Sequence, residues 1–270
     1  RWYGFNISGI IQSKACKFRD HREISTGLSM ARHVIFTADD FGRDSPTNEA
    51  IVHSHAGGAL RAASLMMGQP GTDEAIRLAR KNPSLEVGWH AHVCDASPVA
   101  RGPAPLAGSP LLTGLAIAFY GRRIRAELRA QWDLFMASGL RCAFINSHHH
   151  LHAHPIVLRF IADAIHDAPR AWVRAFDIRS FSGHLPAHAR MLRFFGRQTF
   201  VALPSSVLRS TTTWGLDRTF AMNAEEIAAV LPGLGPGLHE FIFHPRQKND
   251  RDSQALADLV SNHGISPSLP

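Results

Sequence analysis

Cysteine is scarce: Cys16, Cys94 and Cys142 are odd in number and include no C-x-x-C pair. Such a set excludes a disulfide framework and suits a reducing compartment. No run approaches the roughly 18 to 20 apolar residues that cross a bilayer, so no spanning helix is expected. Several catalytic and nucleotide signatures are missing too, namely G-x-S-x-G, the P-loop, G-x-G-x-x-G and H-E-x-x-H. The glycine-rich stretch Gly233-Leu234-Gly235-Pro236-Gly237 precedes a strand-like run and opens no helix, so it reads as a turn. Acidic residues are outnumbered, 22 against 29 basic, for a formal charge of +7. Nucleic-acid binders concentrate their basic residues on one face, often among stacking aromatics. Here they are mostly scattered Arg, with one cluster at Arg122, Arg123, Arg125 and Arg129. Nucleic acid is therefore not an expected partner, whereas an anionic membrane surface is compatible with the charge.

What is present suits a globular protein: 270 residues, 45% hydrophobic and 19% charged, enough for one large α/β domain or two small ones. Seventeen histidines are more than such a chain usually carries. The apolar patch Trp2 to Ile11 is broken by Asn6 and Ser8 and shows no clean signal-peptide cleavage pattern. Residues 1–32 are expected to form a poorly ordered extension, 33–262 one domain and 263–270 a tail.

From His33 onward, short β-rich runs alternate with helix-like stretches. The expected strands are Val34–Ala38, Ala62–Met67, Val87–Val93, Ala143–Ser147, Trp172–Phe176, Phe200–Leu203 and Glu240–His244, mostly apolar and bounded by Gly, Pro, Asp or Ser. Between them the expected helices are Thr47–Ala56, Thr72–Lys81, Leu111–Ser138, Pro155–His166, Ala187–Gly196, Ala224–Leu231 and Ser253–Ser261. Seven β-then-α units in a row predict a parallel sheet in one α/β domain, open or closed into a barrel. In such folds the functional groups sit at the carboxyl ends of the strands.

Four motifs fall at those ends. In Thr37-Ala38-Asp39-Asp40-Phe41-Gly42, two adjacent carboxylates repel each other; a cation can compensate, or one Asp can cap the next helix. In Val87-Gly88-Trp89-His90-Ala91-His92, the two histidines share one side if the segment is extended, and spacing does not choose between them. Asn146 to His154 holds five histidines in seven positions, at 148, 149, 150, 152 and 154. Short His-rich tracts often bind metal, but alternation cannot choose among His148, His150 and His152. His244, ending Phe241-Ile242-Phe243-His244-Pro245, is placed either as a general acid or base or as a structural histidine.

Together these motifs resemble the YdjC-like carbohydrate deacetylases, which include chitooligosaccharide deacetylases and a hopanoid-biosynthesis-associated branch. The likeness runs from about Val34 to Val260. It covers Asp39-Asp40-Phe41-Gly42 with Asn48, Gly88-x-His90, Ser147-His148-His149-His150-x-His152, and His244-Pro245. It implies a single-domain (β/α) barrel-like fold and removal of an acetyl group from an N-acetylated amino sugar or glycolipid. One divalent cation, Mg²⁺ or Zn²⁺, would be held by Asp40, His90 and His148. Asp39 would be the base and His244 the acid, with His150 and Arg174 expected at the substrate. The stretch Ala91-His92-Val93-Cys94-Asp95 and the short loop after it put substrate choice in question, and the Ala- and Arg-rich composition together with this loop pattern leans toward the hopanoid branch.

A metal-dependent phosphoesterase and a non-catalytic sugar-binding protein stand as alternatives. The protein is expected in the cytoplasm, and a homo-oligomer is compatible with the sequence. Leu111 to Tyr120 is apolar apart from Thr113 and Gly114, and Arg122, Arg123 and Arg125 follow. That stretch either packs on the barrel or rests among lipid headgroups at the inner face of the membrane.

Overall fold

A computed structural model describes residues 31–100 and 110–265. The expected 1–32 extension lies outside the described residues as far as position 30, and Arg32 already belongs to the first strand. The elements run β1 (Arg32–Phe41), α1 (Ser45–Ala56), β2 (Ala62–Leu65), α2 (Thr72–Lys81), β3 (Glu86–Ala91), α3 (Pro110–Phe119), α4 (Gly121–Ala137) and β4 (Phe144–Ser147). They continue with a 3₁₀ segment (His148–Ala153), α5 (Pro155–Ala164), β5 (Trp172–Val173), α6 (Ala187–Phe200), β6 (Thr212–Trp214), α7 (Ala224–Val230), β7 (Gly237–Phe243) and α8 (Arg251–Ser261).

The strands form one seven-stranded sheet in the order β5-β4-β3-β2-β1-β7-β6. Every pair is parallel. The sheet curls until its edges meet: isolated parallel bridges join Val173 to Arg209 and Ile178 to Thr213. The expected barrel-like α/β fold is therefore observed.

Alternate residues of a strand face opposite sides, and here the two sides differ in kind. Outward residues such as Phe36, Trp89, Ile145, Val173 and Phe241 join the large core under the helices. Inward residues start apolar: Ile35, Ala62, Phe144, Trp172 and Leu238 form a separate cluster. Two positions further along come Thr37, Ser64, Asn146, Arg174 and Glu240, all 0% exposed. The interior thus changes from apolar to polar toward the carboxyl ends of the strands. Gly88 belongs to the apolar layer, where a Cβ would lie 2.6 Å from the Phe144 ring. The glycine of Gly-x-His therefore leaves room for that ring beneath His90.

Three expected boundaries are corrected. The sixth strand is Thr212–Trp214, and Phe200–Leu203 is instead the end of α6 and the turn after it. Buried Ala189, Gly196 and Phe200 keep the helical face going past Gly196, so the short apolar run continues a helix. The expected single helix Leu111–Ser138 breaks at Tyr120 into α3 and α4. The first strand runs on through Asp39 and Asp40 instead of ending at Ala38.

Candidate metal centre

That extension of β1 sets the site. The β1–β2 register shifts between Ala38 and Phe41, and Asp40 has φ 67°. In a regular strand, neighbouring side chains would point to opposite faces, and this irregularity lets both carboxylates serve one site. Gly42 follows with φ 88° and a close approach to Leu65, and its N–H donates to Asn48 Oδ1 at 2.7 Å. Asn48 in turn donates to the Gly71 carbonyl at 2.9 Å, which ties the strand end to α1 and the start of α2.

Asp39 sits in a cradle of donors. Arg174 grips it with both terminal nitrogens, 2.7 Å to Oδ2 and 2.9 Å to Oδ1. Ser64 and Asn146 also donate to Oδ1, at 2.7 and 3.1 Å. Burial pushes the Asp39 carboxyl upward, but the Arg174 charge and hydrogen bonds reverse this and hold it well below the usual range. Arg174, expected at the substrate, is 0% exposed and divides its guanidinium between two carboxylates. Its other partner is Glu240, reached by Nε at 2.9 Å and Nη2 at 2.7 Å. Burial raises the Glu240 pKa in spite of Arg174.

Asp40 faces the histidines. Its Oδ1 lies 3.0 Å from His148 Nδ1 and 3.4 Å from His90 Nε2, and Arg43 reaches Oδ2 at 3.3 Å. Donor atoms of Asp40, His90 and His148 all lie within 4.8 Å of one another. His90 Nδ1 is 2.6 Å from Asn146 Oδ1, an acceptor, so Nδ1 carries the proton and Nε2 presents its lone pair. His90 Nε2 and Asp40 Oδ1 are buried without a hydrogen-bond partner. Buried polar atoms are nearly always paired, and an ion is one of the few things that explains such orphans. Two imidazole nitrogens and a carboxylate oxygen fit a divalent cation, with open positions as in catalytic zinc sites.

His244 lies just past β7 and opposite Asp39, its Nε2 4.0 Å from Oδ2. Its backbone N–H donates to Asp252 Oδ2 at 2.6 Å, while its ring Nδ1 is buried and unpartnered. The other histidines of the 148–154 run do separate jobs. His149 and His150 have φ 51° and 55°, which turns the chain away from the strand direction. His149 pairs with Asp95 at 2.7 Å near Cys94, outside the Asp40 cluster. His150 is half-buried, its ring 6.1 Å from that of His152; burial and then the Arg174 charge lower its pKa well below the usual value. His152 bridges Ser147 and the Arg174 carbonyl at 2.6 and 3.1 Å. His154 caps α5. His92 turns to Gln69, 2.8 Å away, and takes no part in the cluster.

Ser64 and Glu240 are site residues that sequence reasoning missed, and Asn146 was seen only as the start of the histidine run, with no role assigned. Period two would have found Ser64 and Glu240, since each lies one inward step beyond an apolar inward residue, Ala62 and Leu238.

Fold and site define a parallel β/α barrel with a candidate Asp-His-His metal centre at the carboxyl ends of its strands. The chain belongs to the YdjC-like protein family, whose model matches residues 33–263. A carbohydrate deacetylase of Brevibacillus brevis is 37% identical over 136 residues, 47% of this chain and 53% of the relative. One of Vibrio vulnificus is 38% identical over 128 residues, 45% and 50% of the two chains. The chain thus spans about half the length of the curated relatives it matches. A crystal structure from Enterococcus faecalis V583, provisionally described as a cellobiose-phosphate cleavage protein, superposes with a TM-score of 0.65 at 18% identity. It covers 88% of this chain and 97% of its own, a likeness of fold.

Proposed function

We propose that the chain removes the acetyl group from an N-acetylated amino sugar, with a divalent cation held by Asp40, His90 and His148. The observation that carries this reading is the convergence of two buried, unpartnered donor atoms, Asp40 Oδ1 and His90 Nε2, beside the clamped Asp39 carboxylate. The deacetylases named among its relatives supply the reaction class. A cation in that position supplies Lewis acidity, to water and to a carbonyl oxygen alike.

The protein's own groups divide the proton work. Asp39 Oδ1 already accepts three hydrogen bonds, from Arg174, Ser64 and Asn146. Oδ2 accepts one, from Arg174, and faces His244, so it is the oxygen free to take a proton from the attacking water. A carboxylate so well solvated by donors is a weak base, so that water must be made more acidic than bulk water before Asp39 can deprotonate it. Arg174 acts as a positioning residue: it fixes Asp39 and is balanced by Glu240. His244 lies across from Asp39 and would deliver a proton to the departing amine, leaving acetate and a free amino sugar. His150, half-buried two residues after the ligand His148, would contact the sugar.

Acetate release from N-acetylglucosaminyl substrates, with chelator and after re-addition of Zn²⁺ or Mg²⁺, tests the reading. Release that chelator abolishes and one of these metals restores is expected; no release with either metal present would overturn it. Supplying the same sugar free and lipid-linked separates an oligosaccharide substrate from a glycolipid such as a glycosylated hopanoid, toward which the loop after His90 leans.

A further inference from the structure

Ten large apolar side chains are exposed among the described residues, and seven of them belong to α3 with Tyr120 and to α6 with Val201. The most open are Phe119 at 82%, Val201 at 80%, Leu115 and Phe194 at 62%, and Phe195 at 55%. The two groups are neighbours. A Cβ on Gly121, just after α3, would lie 3.1 Å from Ile156, and Thr199, near the end of α6, donates to the Ala153 carbonyl at 3.0 Å. Ala153 and Ile156 are three residues apart, so both groups flank one short stretch of backbone. That stretch follows directly on His148 and His150, which puts the apolar face on the rim of the site.

Charge completes the picture. Residues 110–126 and 187–201 contain no Asp or Glu but carry Arg122, Arg123, Arg125, Arg190, Arg193 and Arg197. Asp177 is the carboxylate paired with the α6 arginines, 2.8 Å from Arg197 and 3.6 Å from Arg193, and it is shared with Arg179 as well. Exposed Phe and Leu bordered by arginine on a helix face match the composition of helices that lie in a lipid interface. Docking a second copy about a two-fold axis would set six arginines against six. A nucleic acid would leave the aliphatic Leu115 and Val201 without a role. No described helix is long and apolar enough to cross a membrane, so the contact is lateral.

We propose that the face made by α3, the start of α4 and α6 rests on an anionic lipid surface, with the mouth of the site beside the headgroups. The inference stands on exposure and charge and does not depend on the acetyl-removing reading. The full chain should co-sediment with vesicles of phosphatidylcholine mixed with phosphatidylglycerol, and much less with phosphatidylcholine alone. Replacing Arg122, Arg123 and Arg190 by Gln should lower the partition coefficient roughly a hundredfold, at the usual contribution of a basic residue near an anionic surface. The pair Phe119→Ser and Phe194→Ser should weaken binding with no loss of helical circular dichroism. Both variants should keep the turnover of a soluble substrate, so a failed membrane contact and a failed reaction are told apart. Wild-type protein left in the supernatant with anionic vesicles at low salt overturns the proposal. So does a lipid-free dimer that the Phe pair abolishes, or preferential binding to a single-stranded oligonucleotide.

Discussion

Replacing Arg174 by Met tests the centre of the site, because the side chain is buried and holds two carboxylates at once. Its four hydrogen bonds, all between 2.7 and 2.9 Å, would be lost together. Asp39 would keep Ser64 and Asn146, but Glu240 would be a buried acid without its cation. Removing one partner from a buried ion pair typically costs about 3–5 kcal/mol. For a domain of this size, each kcal/mol lowers the melting temperature by about 2–4 °C, so a fall of about 6–20 °C is expected. The sign of the pH dependence identifies the cause. Glu240 is already raised by burial against the pull of Arg174, so without Arg174 its pKa rises further above the unfolded value. The neutral acid then keeps its stability at low pH and loses it as pH rises through the raised folded value. The deficit against wild type should therefore shrink on acidification, which a simple cavity would not produce. Combining Arg174→Met with Asp39→Asn and Glu240→Gln should recover much of the stability while leaving no activity. Melting curves across pH measure all of this. An Arg174→Met protein melting within about 2 °C of wild type at pH 7 would refute the reasoning.

Asp39→Asn should bind metal as wild type does and lose turnover; near-normal acetate release would remove Asp39 as the base. His244→Ala should slow the reaction by about 10²–10⁴-fold, the usual scale for one acid–base group, and an unchanged basic limb of the pH–rate profile would count against its role as acid. Burial and then the Arg174 charge push the His152 pKa down to about 3, so between pH 6.5 and 3 the unfolded chain binds a proton that the folded chain does not. Stability should fall as pH drops through that window, by about 2 kcal/mol at pH 5 from this group. Denaturant midpoints at pH 7 and pH 5, compared with His152→Gln, should show a shallower slope in the variant.

The alternation of apolar runs with helical stretches carried the barrel, since strands buried on both sides are hard to mistake when seven follow one another. What misled was local. Thr212-Thr213-Trp214 is short and two-thirds threonine, and it becomes a strand because β7 and the bridge to Ile178 pair it. Phe200 looked strand-like because its neighbours are apolar, yet its partner is Phe176 beneath α6, 5.5 Å away. At the site, the resemblance to a known family singled out Asp40, His90 and His148, which spacing alone could not, and the structure draws these three together. The job of Arg174 was not legible in order of sequence. It lies 135 residues from Asp39 and 66 from Glu240, and only the curl of the sheet brings the three together.

Those contacts leave a charge problem with a measurable consequence. Around Arg174 and the His90–His148 pair, the buried acids are Asp39, Asp40 and Glu240, against one permanent cation, Arg174. Arg174 is committed to Asp39 and Glu240, so Asp40 is left with two histidines and the outlying Arg43. Burial pushes the Asp40 carboxyl upward, but the His148 and His90 rings beside it hold it well below the usual range, so it stays charged. A divalent cation would meet that charge and occupy the orphaned His90 Nε2 and Asp40 Oδ1 together. Because it would bind the folded chain and find no such site in the unfolded one, it should stabilise by about 2.7 kcal/mol at a hundred times its dissociation constant. At about 2–4 °C per kcal/mol, the melting temperature should rise by about 5–11 °C. Asp40→Asn and His148→Ala each remove one of three protein ligands, so neither should show the rise, and metal analysis after desalting should find both depleted. The Asp39→Asn protein should still show it, because Asp39 is held by Arg174 and is not one of the converging donors. A rise of equal size in Asp40→Asn would place the cation elsewhere on the chain.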